Sequence, residues 1–203
     1  MYVKNDKPIL ILLIYFLFFC FATNPFFTLV VPKIVNYNLN LSATYFGAFQ
    51  AFLSAGAITG MLIVGYLSKK NVNQYVWFIS SVAIISFIIF LFAIPILPVI
   101  QQHISNYQVI IIYCIMVFVL ELVASTFVIP MWVIFQKRIP NEYRGRFFAI
   151  FNTCVLAATP IGKLVFGSLS DIVPMYLVVF FLGLFMLTAC FLLLFFPKLK
   201  ELY

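Results

Sequence analysis

Residues 47–68 read GAFQAFLSAGAITGMLIVGYLS, and residues 149–170 read AIFNTCVLAATPIGKLVFGSLS. A shift of 102 positions lays the first on the second, and seven of the 22 positions then match. The pairs are Phe49 with Phe151, Ala55 with Ala157, Gly60 with Gly162, Leu62 with Leu164, Gly65 with Gly167, Leu67 with Leu169 and Ser68 with Ser170. Apolar helices resemble one another by composition, but two glycines in register and a shared Gly-x-Leu-Ser ending go further. The match predicts two repeat units, approximately residues 1–100 and 101–203.

Each copy is long enough to cross a hydrocarbon core, which needs about 20 apolar residues in helical form. Four more such stretches surround them. The six predicted spans are Ile9 to Val31, Ala43 to Leu67, Tyr75 to Leu97, Val109 to Phe135, Phe147 to Leu169 and Met175 to Phe196. The chain is 66% hydrophobic and 8% charged over 203 residues, which excludes a soluble domain with a polar surface. The expected fold is an all-α membrane protein, one six-helix transmembrane domain over residues 1–203. Three spans separate the copies, so equivalent helices run in opposite directions. That is the 3+3 inverted repeat found inside secondary transporters.

Charge sets the expected orientation, because short cytoplasmic loops retain lysine and arginine. Lys4, Lys7, Lys69, Lys70, Lys137, Arg138, Arg144, Arg146, Lys198 and Lys200 gather at one set of ends, and the opposite loops hold only Lys33. Both termini are therefore expected in the cytoplasm of a multi-pass cell-membrane protein. The net charge of +7 follows from this asymmetry facing an anionic leaflet, so it calls for no nucleic acid.

Cys20, Cys114, Cys154 and Cys190 fall within spans and none forms a Cys-x-x-Cys pair, which indicates neither a disulfide framework nor a zinc site. The single histidine, His103, is expected to be solvated in an outer loop. Lys4 and Lys7 before an apolar run resemble a signal peptide, but the run is too long and is read as the first span. The segment AATPIGKL fails as a phosphate-binding loop: Ala157 replaces its first glycine, Leu164 its Ser/Thr, and it lies within a span. No nucleophile–base pair, metal cluster or cofactor motif is present, so no catalytic residue is expected.

Gly56 and Gly60, four residues apart with Ala51 and Ala55 nearby, let a neighbouring backbone approach, and are read as packing residues. Pro25, Pro130 and Pro160 inside spans predict bends, each removing a backbone donor. The segment QKRIPNEYRGRFFAIFN, Gln136 to Asn152, is expected to form a tight cytoplasmic turn, with Pro140 and Asn141 at the turn and Gly145 free to take positive φ. Arg144 and Arg146 there can reach phosphates or helix C-termini.

Pro140, Arg144, Gly145 and Arg146, with Pro160, Gly162, Gly167, Leu169 and Asp171 downstream, resemble the carboxyl-terminal half of a major facilitator superfamily transporter. Within that superfamily the likeness is to the drug-efflux branch that includes the macrolide exporters. Pro25, Pro32, Leu41, Ser42, Gly47 and Gly56 extend it over nearly the whole chain. One departure concerns the superfamily loop motif, roughly Gly-x-Leu-Ala-Asp-Arg: Gly65, Leu67 and Ser68 fit, but Lys69 stands at the acidic position and Lys70 at the basic one. A second is length. The resemblance implies twelve spans in two halves with substrate between them, and this chain has six. It therefore implies a separately encoded amino-terminal half, self-association, or an inactive remnant.

The implied activity is export of small amphipathic compounds by alternating access, driven by an ion gradient, with proton antiport in view. The competing reading is a truncated, non-transporting fragment or assembly partner. Glu121, in MVFVLELVAS, lies mid-span, where an ionised carboxylate costs roughly 3 kcal/mol on insertion scales. Cys114, Ser125 and Trp132 share its helical face, a polar stripe directed at protein or water. Glu121 is expected to serve as a proton- or cation-recognising carboxylate. The structural alternative is an ion pair with Lys163, across a depth difference on the order of 10 Å by helix rise. Asn24, Gln50, Ser125 and Asn152 are candidate cavity residues; Gln50 and Asn152 are repeat equivalents placed toward opposite leaflets. Thr28, Thr59 and Thr153 are read as interhelical hydrogen-bonding groups.

Overall fold

The structure, a computed structural model, describes residues 7–68 and 74–194. Lys4, Lys69, Lys70, Lys198 and Lys200 lie outside them, as does the predicted end of the last span at Phe196. Among the described residues there is no strand, and six helices are long and apolar enough to cross a membrane. They are α1 (Pro8–Asn38), α2 (Ala43–Leu67), α3 (Tyr75–Ile96), α4 (Asn106–Arg138), α5 (Asn141–Ile172) and α6 (Met175–Leu193).

Three of these helices outrun the sequence expectation. The first continues past Val31 to Asn38, because the chain passes its prolines without leaving the helix. Pro25 is followed by a π-helical stretch, Phe26–Val30, and Pro32 by a second, Ile34–Asn38. The first of these stretches contains Thr28, four residues before Pro32, so the turn is widened where the Pro32 ring would meet that carbonyl in a regular α-turn. Likewise α4 and α5 remain helical through Pro130 and Pro160. Asn40, at φ 51°, then ends the α1 connection in the left-handed region that asparagine tolerates.

The α4–α5 connection corrects the expected turn. It consists of Ile139, pushed into an extended conformation by the following proline, and Pro140 at the N-cap of α5. Asn141 is already helical, and Glu142 in the first turn favours the helix N-terminus. Gly145 therefore lies inside α5, without a positive φ. At the other end of α4, Ser105 and Gln108 form a reciprocal capping box.

Tertiary contacts show the order of packing. Gly56 of α2 meets the Phe118 carbonyl of α4, and a Cβ added at Gly60 would lie 2.5 Å from the Leu122 carbonyl oxygen. Both numbers rise together, so α2 and α4 run parallel. In α5, a Cβ at Gly162 would lie 2.5 Å from the Phe21 carbonyl oxygen of α1, and one at Gly167 3.6 Å from Leu29. Thus α1 and α5 also run parallel. In contrast α3 and α6 are antiparallel: Ser86 donates to the Met186 carbonyl at 3.2 Å, while Phe90 packs on Gly183 and Phe180. Exchanging the first three helices for the last three turns the α2–α4 contact into α5–α1 and returns α3–α6 to itself.

The bilayer supplies no hydrophobic drive for helices to associate, so packing and hydrogen bonds hold the bundle. Phe127 touches Tyr15, Phe16, Phe19 and Phe78, with ring centroids 5.1 to 6.2 Å apart. Phe151 gathers Phe16, Trp132 and Phe135 in the same way. Much of the phenylalanine content is thus interior. Ser81 and Thr126 share a hydrogen bond of 2.7 Å between α3 and α4, and Tyr113 donates to the Phe92 carbonyl at 2.8 Å. The bundle buries least of α2 and α5.

Candidate functional site

Glu121 lies near the centre of α4, 15 residues from Asn106 and 17 from Arg138. It is half-buried, and among the described residues its carboxyl has no hydrogen-bond or ion-pair partner. The next residue, Leu122, presents its carbonyl to Gly60, so Glu121 sits at the edge of a close backbone contact between α2 and α4. Ser125, one turn on, is buried inside that contact: its hydroxyl donates to Ala57 of α2 at 3.2 Å and to the Glu121 carbonyl at 3.0 Å. Of the other residues on this stripe, Cys114 is buried and Trp132 stacks on Phe148 of α5 with centroids 5.2 Å apart.

Lys163 does not join Glu121. It is exposed at the surface of α5, beside Gly162, which packs on α1. Asn152, eleven residues earlier and so on the same flank of α5, is exposed too, whereas Asn24 of α1 and Gln50 of α2 are half-buried. Asn24 accepts a hydrogen bond from Thr28 through its backbone carbonyl, at 2.8 Å. Gln50 does the same for Ser54, at 3.0 Å. Neither amide side chain has a partner among the described residues. Exposed polar groups on a membrane-length helix are costly against lipid and are satisfied by water or protein.

Arg144 and Arg146 occupy the first turns of α5. Arg144 folds back to donate to the Ile139 carbonyl at 3.4 Å, and its buried Nε has no partner among the described residues. Arg146 is exposed, and Gly145 has open space around it. No group of three metal-ligating side chains occurs among the described residues.

A cluster that the sequence did not single out joins α1 to α5 at the opposite end. The Lys33 ammonium lies 2.8 Å from the Asp171 carboxylate and 2.8 Å from the Ser170 hydroxyl, and it reaches the Ser170 carbonyl at 3.4 Å. One cation thus neutralises an acid and caps the C-terminus of α5, where the helix dipole favours positive charge. The signal was available in register. Gly162 packs on Phe21 and Gly167 on Leu29, so the parallel helices bring residues 170–171 level with residue 33.

Comparison with known families finds that the Major Facilitator Superfamily profile matches residues 1–162. Comparisons with curated proteins and with solved structures found no match. The match covers most of the chain and agrees with six membrane-length helices packed as two equivalent triplets. The chain belongs to the major facilitator superfamily.

Proposed function

We propose that this member of a family of transporters exports small amphipathic compounds by alternating access, with Glu121 carrying the coupled proton. The observation that supports this most is the state of Glu121: mid-span, half-buried and without a polar partner among the described residues. A carboxyl in such a position can hold a proton in one conformation and release it when water reaches it. Asn24, Gln50 and Asn152 would offer hydrogen bonds to cargo, with Lys163 at the margin.

The two triplets are copies of one unit on this reading, supported by Gly60 and Gly162 taking equivalent places against α4 and α1. The exposed flank of α5 would face a second six-helix bundle across a watery cleft, either a separately encoded half or another copy of this chain. The end carrying Lys137, Arg138, Arg144 and Arg146 would face the cytoplasm, together with both termini, as the charge asymmetry favours.

The test is export from proteoliposomes under an imposed pH gradient, with and without co-reconstituted partner half, using a fluorescent lipophilic cation as cargo. Gradient-driven export that vanishes in Glu121→Gln is the expected result. Export by Glu121→Gln that still follows the gradient would remove the carboxyl from coupling. No export in either preparation would favour an assembly role.

A further inference from the structure

At the Lys137 end, α2 and α4 part company. Gly56 and Gly60 hold them in backbone contact, but five residues further on Gly65 has nothing among the described residues within 4 Å of where a Cβ would stand. The helices separate at the level of Pro130, leaving a groove of about 840 Å³ between them. Apolar side chains line it on both sides, Met61 and Val64 on one and Ile129 and Val133 on the other. Its mouth is bordered by Ser68, Lys137 and Arg138, the last two forming the basic final turn of α4. Both side chains are exposed.

We propose that this groove binds an anionic phospholipid, one acyl chain lying along Val64 and Val133 and the headgroup phosphate between Lys137 and Arg138. The occupant is fixed by two features together. A free anion would meet the cations and leave the apolar walls bare, whereas a zwitterionic lipid would fill the walls and gain little from two positive charges. The leaflet that faces a basic membrane-protein end is the anionic one, and basic residues at that depth attract its headgroups. The site rests on the inward orientation argued above and not on transport, so the two can fail separately.

The test is native mass spectrometry of the delipidated full chain in detergent, titrated with phosphatidylglycerol, phosphatidylcholine and inorganic phosphate. One phosphatidylglycerol should bind in preference to phosphatidylcholine, and Lys137→Gln with Arg138→Gln should weaken it about tenfold or more. Arg144→Gln with Arg146→Gln removes the same charge at the same end and should keep the preference. Gly65→Leu keeps every charge but fills the groove, and should also weaken binding. Equal binding of the two lipids, unchanged binding in the Lys137/Arg138 or Gly65 variants, or full displacement by inorganic phosphate would overturn the proposal.

Discussion

The Lys33 end of α1 and α5 and the Lys137 end of α2 and α4 occupy equivalent places when the two helix triplets are exchanged, yet one is closed and the other open. Both pairs run parallel, and both are drawn together at mid-span by glycines whose missing side chains admit a carbonyl of the neighbour. Beyond the glycines the chemistry differs. The first pair ends in an ammonium, a hydroxyl and a carboxylate within 2.8 Å. In the second, the 102-residue shift puts Phe135 where Lys33 stands and Lys69 where Asp171 stands. The Lys33–Asp171 pairing is therefore not repeated there by sequence. A shared packing scaffold thus sets where helices touch, and at one end an ion pair adds to it.

The comparison is broken most severely at mid-span. Gly162→Ala would place a methyl 2.5 Å from the Phe21 carbonyl oxygen and 2.6 Å from the Pro25 ring, and Gly60→Ala would meet Leu122 and Ser125 in the same way. Each should cost about 1–3 kcal/mol in a detergent unfolding titration, as overpacking does. Equal, small effects at both would deny the shared contact. Gly65→Ala adds the same methyl where the helices have parted. It should be neutral or stabilise by up to about 1 kcal/mol, the usual difference between alanine and glycine in a helix. Destabilisation there would mean that the groove closes. The smallest effect belongs to the clamp: Asp171 is 76% exposed, so a double-mutant cycle of Lys33→Met and Asp171→Asn should give a coupling of only about 0.2–1 kcal/mol. Zero coupling would leave the closed end to packing alone.

Much of this architecture was legible in the sequence. Length and apolarity located all six helices, and the register of Gly60 with Gly162 marked equivalent contacts before their partners were known. The helix ends were harder, because polar residues such as Asn141 and Glu142 continue a helix beyond the hydrocarbon core without any change of period. Gly145 was misplaced for that reason. The sequence could not show that Ser125 faces α2 while Trp132, on the same helical face, reaches α5: one stripe is shared between two neighbours. Nor could it show the groove, which depends on the rate at which two helices diverge. The ion pair of Glu121 with Lys163, the structural alternative from sequence, does not form among the described residues. Lys163 lies on the exposed flank of α5, and the lysine that finds an acid is Lys33.

The central claim is that the exposed polar flank of α5 lines water or a second bundle and not lipid. Spin labels at Lys163→Cys and, as a lipid-facing reference, at Phe87→Cys on α3, each with Cys154→Ser, would test it in proteoliposomes of the assembled transporter. Phe87 is 55% exposed on a helix that carries no charged residue. The account predicts that the label at residue 163 is reached by a polar paramagnetic reagent more than by oxygen, with the reverse at residue 87. Oxygen-dominated relaxation at both would place α5 against the bilayer and contradict it.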